Sequence, residues 1–421
     1  MAQDPPPRGR ADVKILLLND YGTLAGGAEI QAVALREELR ARGHDVRLLT
    51  SDALTSPGPL YADHTAPGST SYDRALRQTA NPSAARALKR VLDAFQPDVV
   101  HASVVLTQLS PLILPLLRRV PAVYYAVWYR SVCPTGTKML PDGSPCHVSW
   151  GHACRRSGCL PLRDWAPLMV QMALWERWRG AFDAVVANSD ATRHHLEAGR
   201  IAVDEVIGHG VRTHPSPRPL VDPPTVVFAG RLVPAKGLDV LLRAFRLVVD
   251  RVPEASLLVA GDGPERDVLE SLVASLGLAS HVTLLGHRPT GDLDHLFEGA
   301  WVQAVPSRWE EPFGMVAAEA SMRGTAVVAT DSGGLRGIVE DGVTGRLVPS
   351  GDVAAWAEAL TGLLADRPLA EGMGHRGHVV AAERFGVGVQ ADRFLALYRR
   401  LVEVPCTEVV GSPLRPASVA I

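Results

Sequence analysis

Glu311-Pro-Phe-Gly-Met-Val-Ala-Ala-Glu319 follows the apolar run Ala300-Trp-Val-Gln-Ala-Val-Pro306, and together they read as a strand, a loop and the start of a helix. A helix over Met315 to Met322 puts Glu311 in the loop and Glu319 just over one turn in. The amides of Phe313, Gly314, Met315 and Val316 are then free N–H groups at a helix N-terminus. Such groups bind anions, and Gly314 lets a ligand come close to the backbone. Carboxylates that accept from hydroxyls, beside amides that donate to phosphate, are what a nucleotide-sugar ligand requires. Either glutamate is also an ordinary charge near a helix start, so its neighbours have to decide.

The same unit recurs along the chain. Val13-Lys-Ile-Leu-Leu-Leu18 is a continuous apolar run of the kind shown by a buried parallel strand. Gly26-Gly27 follows, then a helical pattern from Ile30 to Arg42 and a strand at residues 46–50. Further strands are expected at 98–101, 122–125 and 184–188, with Ser189 or Asp190 capping the next helix. Residues 209–224 carry five prolines and mark a linker. Beyond it, strands are expected at 225–229, 256–260, 281–285, 300–306, 326–330 and 345–348, and helices at 236–252 and 265–276. Alternating strands and helices imply parallel sheets covered on both faces. The fold class is therefore α/β, with two doubly wound Rossmann-like domains facing a central cleft. In such sheets ligands bind outside the carboxyl ends of the strands. The expected division is a flexible leader at 1–12, a first domain at 13–212 and a second at 213–385. A helix at 386–402 is expected to pack back on the first domain, ahead of a flexible tail at 403–421.

Composition fits this division. The 421 residues suffice for two domains of roughly 200 each, and 47% hydrophobic with 21% charged residues suits a sizeable core. A net charge of -2 argues against a general binder of nucleic acid or anionic membrane. No apolar run reaches the roughly 18 residues of a transmembrane helix, and the Pro- and Arg-rich start has no apolar signal core. A cytoplasmic protein is expected. Only four of the 43 basic residues are lysines (Lys14, Lys89, Lys138 and Lys236). With the Ala and Gly richness, this fits a GC-rich coding genome and makes Lys236 conspicuous.

Arg231-Leu-Val-Pro-Ala-Lys236-Gly237 directly follows the strand at 225–229. Two cations five residues apart at the carboxyl end of a strand can both reach one diphosphate. The alternative is a solvated loop, against which stand the rarity of lysine and the presence of Glu311 in the same domain. Gly26-Gly27, in the first strand-to-helix loop, permits close backbone approach and offers amides to a ligand, or makes a tight turn. Asp331-Ser-Gly-Gly334 ends another strand of the second domain.

These segments, with Ala260-Gly-Asp-Gly-Pro264, Pro306-Ser-Arg-Trp-Glu-Glu-Pro-Phe-Gly314 and Gly342-Val-Thr-Gly345, resemble the retaining GT-B glycosyltransferases of family 4, the glycosyl transferases group 1. The resemblance runs from about Val13 to Val402. It implies the GT-B fold, a nucleotide-diphosphate-sugar donor on the second domain and a hydroxyl acceptor on the first. It implies that Glu311 contacts the donor sugar, that Glu319 accepts from the ribose hydroxyls, and that Arg231 and Lys236 neutralise the leaving diphosphate. Gly261, His287, Arg288 and the amides from Phe313 to Val316 would complete the donor site, with Gly26 and Gly27 across the cleft. No cofactor or metal is expected, and anomeric configuration is retained by front-side attack, the leaving phosphate helping to deprotonate the acceptor.

One departure lies in the first domain. Many relatives place a His-Asp pair shortly before a Cys-Pro-x-Gly segment; here that segment is Cys133-Pro-Thr-Gly136 and the pair reads Val127-Trp128. The donor lacks the hydroxyl that a His would bind, or His101 or Tyr129 substitutes, or the protein is catalytically degenerate. An active enzyme with altered selectivity is the expectation, acting in natural-product or cell-envelope chemistry, and Trp128 offers a flat wall to a ring-shaped acceptor. A sugar-nucleotide epimerase or a nucleotide-sugar-binding pseudoenzyme on the same fold are the other classes. Cys133, Cys146, Cys154 and Cys159 cluster in sequence. They lack the paired C-x₂-C spacing of a zinc site, so reduced thiols are expected before a structural metal. The Trp-rich segment from Trp165 to Phe182 reads as a core helix before a membrane-contacting one.

Overall fold

The structure is a computed structural model that describes residues 12–24, 26–54, 58–71, 74–217 and 219–403. Apart from Asp12 and Glu403, the expected leader and tail lie outside the described residues. Among the described residues, two parallel sheets organise the chain. The first runs β1 (Lys14–Leu18), β2 (Asp45–Ser51), β3 (His64–Ala66), β4 (Val99–Ala102), β5 (Ala122–Ala126), β6 (Ala184–Ala187) and β7 (Glu205–Val206), in the spatial order β3-β2-β1-β4-β5-β6-β7. The second runs β8 (Thr225–Ala229), β9 (Ser256–Ala260), β10 (Val282–Gly286), β11 (Val302–Val305), β12 (Ala326–Thr330) and β13 (Gly345–Val348), in the order β10-β9-β8-β11-β12-β13. Each order reverses once, between β1 and β4 and between β8 and β11. At such a switch point the flanking loops diverge to opposite faces and leave a crevice at the carboxyl ends of the strands. Glu311, Lys236 and Gly26-Gly27 all lie on loops leaving these four strands.

The sequence forms these elements for plain reasons. Ile15, Leu16, Leu17 and Leu18 are all buried, because helices cover both faces of β1. The expected strands appear within about two residues of their bounds, as helix and strand ends usually do. Two strands were not anticipated: β3 and β7, edge strands of three and two residues, are too short to show a period.

The helix Val387–Glu403 follows the second domain in sequence but lies on the first sheet. Phe394, Leu395, Leu397 and Tyr398 join Ile15, Leu17, Val99, Val123 and Tyr125 in one core. Phe394 meets His101 edge-on at 4.6 Å and Tyr125 at 5.0 Å between ring centroids. The chain crosses between domains twice, and the crossings bind each other: Val211 N donates to Phe385 O at 2.7 Å and Val387 N to Val211 O at 3.0 Å. Beside them His209 is buried, with Nε2 accepting from Asn188 Nδ2 at 3.1 Å and Nδ1 3.0 Å from the Tyr125 hydroxyl, which donates to Ile207 O at 2.9 Å. Burial pushes His209 down to about 3, so the ring is neutral at this hinge.

Phe394→Ala should lower the unfolding free energy by about 3–5 kcal/mol, the usual cost of emptying a buried aromatic site. Asp392→Asn, on the same helix as Phe394, breaks only an exposed ion pair with Arg42 at the end of the helix Gly27–Ala41 and should cost under about 1 kcal/mol. Urea titration of both variants checks the pair; equal effects would show that the helix does not seal the first core.

Candidate active site

Lys236 and Glu311 stand 75 residues apart in sequence. Their loops leave β8 and β11, which are neighbours in the sheet, and Lys236 Nζ donates to Glu311 Oε1 at 2.5 Å. Ser307 Oγ donates to the same oxygen at 2.6 Å. Burial alone would raise the Glu311 carboxyl, but the Lys236 ammonium and these hydrogen bonds outweigh it and hold the group below the ordinary carboxylate range. The lysine also lies over the Trp309 ring, 5.4 Å from its centroid. Glu311 is therefore a fixed anion, and Lys236 is a cation whose counter-charge is already in the site.

The next helix is Met315–Arg323, starting from Gly314 at φ 111°. That angle suits glycine, and a Cβ there would lie 2.6 Å from Leu335. The first intrahelical bonds run from Ala317 and Ala318 to Gly314 O, so the Met315 and Val316 amides precede the ladder and are offered outward. The loop after β12 braces the same turn, with Gly334 N donating to Glu311 O at 2.7 Å. Glu319 is half-buried in the second turn. Burial pushes its carboxyl up to about 7, with Arg323 opposing and the Asp294 carboxylate adding to the rise.

The first domain closes over this corner. Ser189 caps the helix Asp190–Ala198 by accepting from Thr192 N at 3.0 Å, and its hydroxyl donates to Pro312 O. Thr192 Oγ1 donates to the same carbonyl at 3.3 Å. His195 Nε2 lies 2.7 Å from Glu310 Oε2, and that hydrogen bond holds Glu310 below the usual carboxylate range against burial. Residues 310–312 are thus gripped from across the seam. Gly27 faces Met315, where a Cβ would come within 3.0 Å of Met315 Cγ. Glu29, in the first turn of the helix that begins at Gly27, is raised mainly by burial and also feels the charge of Arg231.

The remaining expected residues fall into three groups. Arg231, His287 and Arg288 are exposed at the ends of β8 and β10. Phe313 is 4% exposed, wedged between His209 and Phe385, so it can offer a ligand only its backbone. The Gly261 amide is bonded to Gly286 O at 2.8 Å, so this glycine shapes the loop without donating. His101 needs correcting as an acceptor contact: it is 1% exposed beneath Phe394, with Nδ1 2.6 Å from the Tyr398 hydroxyl. Tyr129 is fully buried in the seam against His195, with burial pushing its hydroxyl well up and the Glu310 and Glu311 carboxylates adding to this. Trp128 stays partly exposed, one ring face pressed on Gly136, where a Cβ would come within 2.7 Å. Sequence reasoning missed Glu29, Ser189 as a cross-seam donor, Thr192, His195 and Glu310. Of these only Ser189 carried a signal, as a helix cap.

The chain matches known protein families over parts of both domains. The family model described as Glycosyl transferases group 1 matches residues 212–379, and that of Glycosyltransferase Family 4 matches residues 25–126. The chain belongs to the group 1 glycosyltransferases. Among relatives of the chain, the D-inositol 3-phosphate glycosyltransferase of Nocardia farcinica is 43% identical over 182 residues, 42% of this chain and 40% of the relative. That of Mycobacterium ulcerans is 37% identical over 243 residues, 52% and 51% of the two chains. The matches thus span about two fifths to one half of these relatives. Sucrose-phosphate synthase from Thermosynechococcus elongatus superposes with a TM-score of 0.71 at 24% identity, covering 93% of this chain and 99% of that one. HepE from Anabaena, in complex with UDP and glucose, gives 0.64 at 22%, covering 91% and 99%. At these identities the likeness establishes the GT-B fold. Among the described residues, no helix is long and apolar enough to cross a membrane.

Glu319 leaves a mark on pH dependence. An acid raised in the folded state contributes stability that is fully present below its unfolded value, near 4.5, and is lost as pH rises through about 7. Glu319→Gln should therefore lose less stability than the parent between those values. Thermal melts of both proteins across that window check it; parallel curves would place the carboxyl outside a desolvating site.

Proposed function

We propose that this protein transfers a sugar, with retention of anomeric configuration, from a nucleotide-diphosphate-sugar on the second domain to a hydroxyl of an acceptor held by the first. The observation that carries this reading is the anionic Glu311 tied to Lys236 at the β8–β11 switch point, beside the open amides of Met315 and Val316. The donor diphosphate lies against Arg231, Lys236 and those amides. Glu319 accepts from the ribose hydroxyls, and Glu311 faces the sugar. Binding draws Lys236 towards the diphosphate and frees a lone pair on Glu311 for a sugar hydroxyl. As the acceptor oxygen bonds to the anomeric carbon, the bond from that carbon to the diphosphate oxygen breaks. The acceptor proton passes to the departing phosphate, whose new charge Arg231 and Lys236 neutralise. Positive groups preset where charge develops cost no reorganisation in the reaction itself.

For the acceptor we infer a small ring-bearing molecule of specialised metabolism, which rests on the partly exposed face of Trp128 where relatives have a polar pair. The similar curated proteins are named for D-inositol 3-phosphate, so that compound belongs in the acceptor panel beside envelope-type glycans. HepE binds UDP, which supports testing uridine donors first.

Thermal-shift screening against UDP-, GDP-, ADP- and dTDP-sugars should give one donor class that raises the melting temperature. With that donor, Glu311→Gln should cut turnover by about 10²–10³-fold or more, the scale of losing one transition-state contact, while nucleotide binding persists. Full turnover by Glu311→Gln would remove the role given to that residue. Binding without any turnover by the parent would leave a nucleotide-sugar-binding protein.

A further inference from the structure

We propose that Cys133, Cys146, Cys154 and Cys159 are the ligands of a structural zinc ion that braces the loop under Trp128. All four line one small cavity of about 10 Å³, beside Met139 and Leu140. That space is about the size of one water molecule, room for an ion and for no organic ligand. All four cysteines are free thiols.

Backbone geometry pairs them. Cys146 N donates to Lys138 O at 2.8 Å and Leu140 N to Ser144 O at 2.8 Å. This hairpin folds Cys146 back towards the segment that starts at Cys133. In the second pair Cys154 lies within the short helix His152–Arg156 and Cys159 follows it, and Leu160 N donates to Cys154 O at 3.3 Å, which brings the chain back beside Cys154. Both pairs line the one cavity, and four thiolates suit the tetrahedral preference of zinc.

The loop places a hydroxyl beside the Cys133 sulfur, Thr135 Oγ1 at 3.1 Å. Donors arranged round a metal-bound sulfur are the usual support of such a ligand.

The segment carries little regular structure among the described residues. Residues 132–161 contain one isolated bridge, Met139–Pro145, and one five-residue helix. Its satellite cluster buries only Cys154, Leu160 and Leu168, while Val132 and Cys133 anchor its start in the core of the first sheet. Apolar burial on that scale does not offset the ordering of a long irregular segment, and a metal commonly does. As placed, no three metal-ligating side chains among the described residues converge on a point. Binding therefore requires the half-exposed Cys146 and Cys159 side chains to turn inward while the thiol protons pass to solvent and sulfur lone pairs bind the metal. His152 does not compete, since its ring lies against Trp165 at 5.1 Å.

The test is metal analysis of the full chain, expressed with zinc and purified without chelator. About one zinc per chain is expected, and cobalt substituted for it should give the sulfur-to-cobalt charge-transfer band of a thiolate site. Cys146→Ser and Cys159→Ser, at half-exposed positions, should each lose the metal, while Cys406→Ser should keep it. A metal-free parent with no cobalt–thiolate band would overturn the proposal. So would a disulfide between two of the four cysteines in the purified parent, or metal retained by both serine variants. Should either variant fail to fold, the cobalt spectrum of the parent decides.

Discussion

A buried carboxylate that stays ionised needs a cation held against it, and the Lys236–Glu311 contact is the constraint on which the second domain's face is built. Alone, Glu311 would neutralise rather than sit ionised in a buried site. With Lys236 at 2.5 Å and Ser307 at 2.6 Å it remains an anion. The pair exists because β8 and β11 are neighbours, which follows from the doubly wound strand order. Removing one member of a buried pair costs more than the pair contributes, so sheet order and site charge are coupled.

The pair also ties the site to domain closure. Residues 310–312 are held from the first domain by Ser189, Thr192 and His195. Opening the cleft would release that grip on the loop carrying Glu311. The neutral His209 is bonded between Tyr125 and Asn188 beside the two chain crossings. The contacts across the seam therefore hold the loop that carries Glu311 in place.

Much of this was legible in the sequence. Buried strands are continuous apolar runs, so β1, β8 and β12 could be read within a residue or so. Glu311, Lys236 and Gly27 could be found because each sits on a loop leaving a recognisable strand, and the sheet rule brings such loops together. The cross-seam residues could not. Thr192, His195 and Glu310 are polar residues on an ordinary helix and loop, and their meaning depends on the relative placement of two domains, which no local period encodes. His101 misled for the opposite reason: a histidine at a strand end suggests a cleft, but the helix Val387–Glu403 returns from far along the chain to cover it. The pressure of Trp128 on Gly136 was likewise hidden, because it depends on how the cysteine-bearing loop folds back.

The most direct measurement is a structure of the chain with a nucleoside diphosphate bound. The expected result has the diphosphate within hydrogen-bonding reach of Arg231 and Lys236, the ribose hydroxyls on Glu319, and Lys236 shared with or withdrawn from Glu311. A diphosphate bound elsewhere, with the Lys236–Glu311 contact undisturbed and Glu319 unengaged, would contradict it.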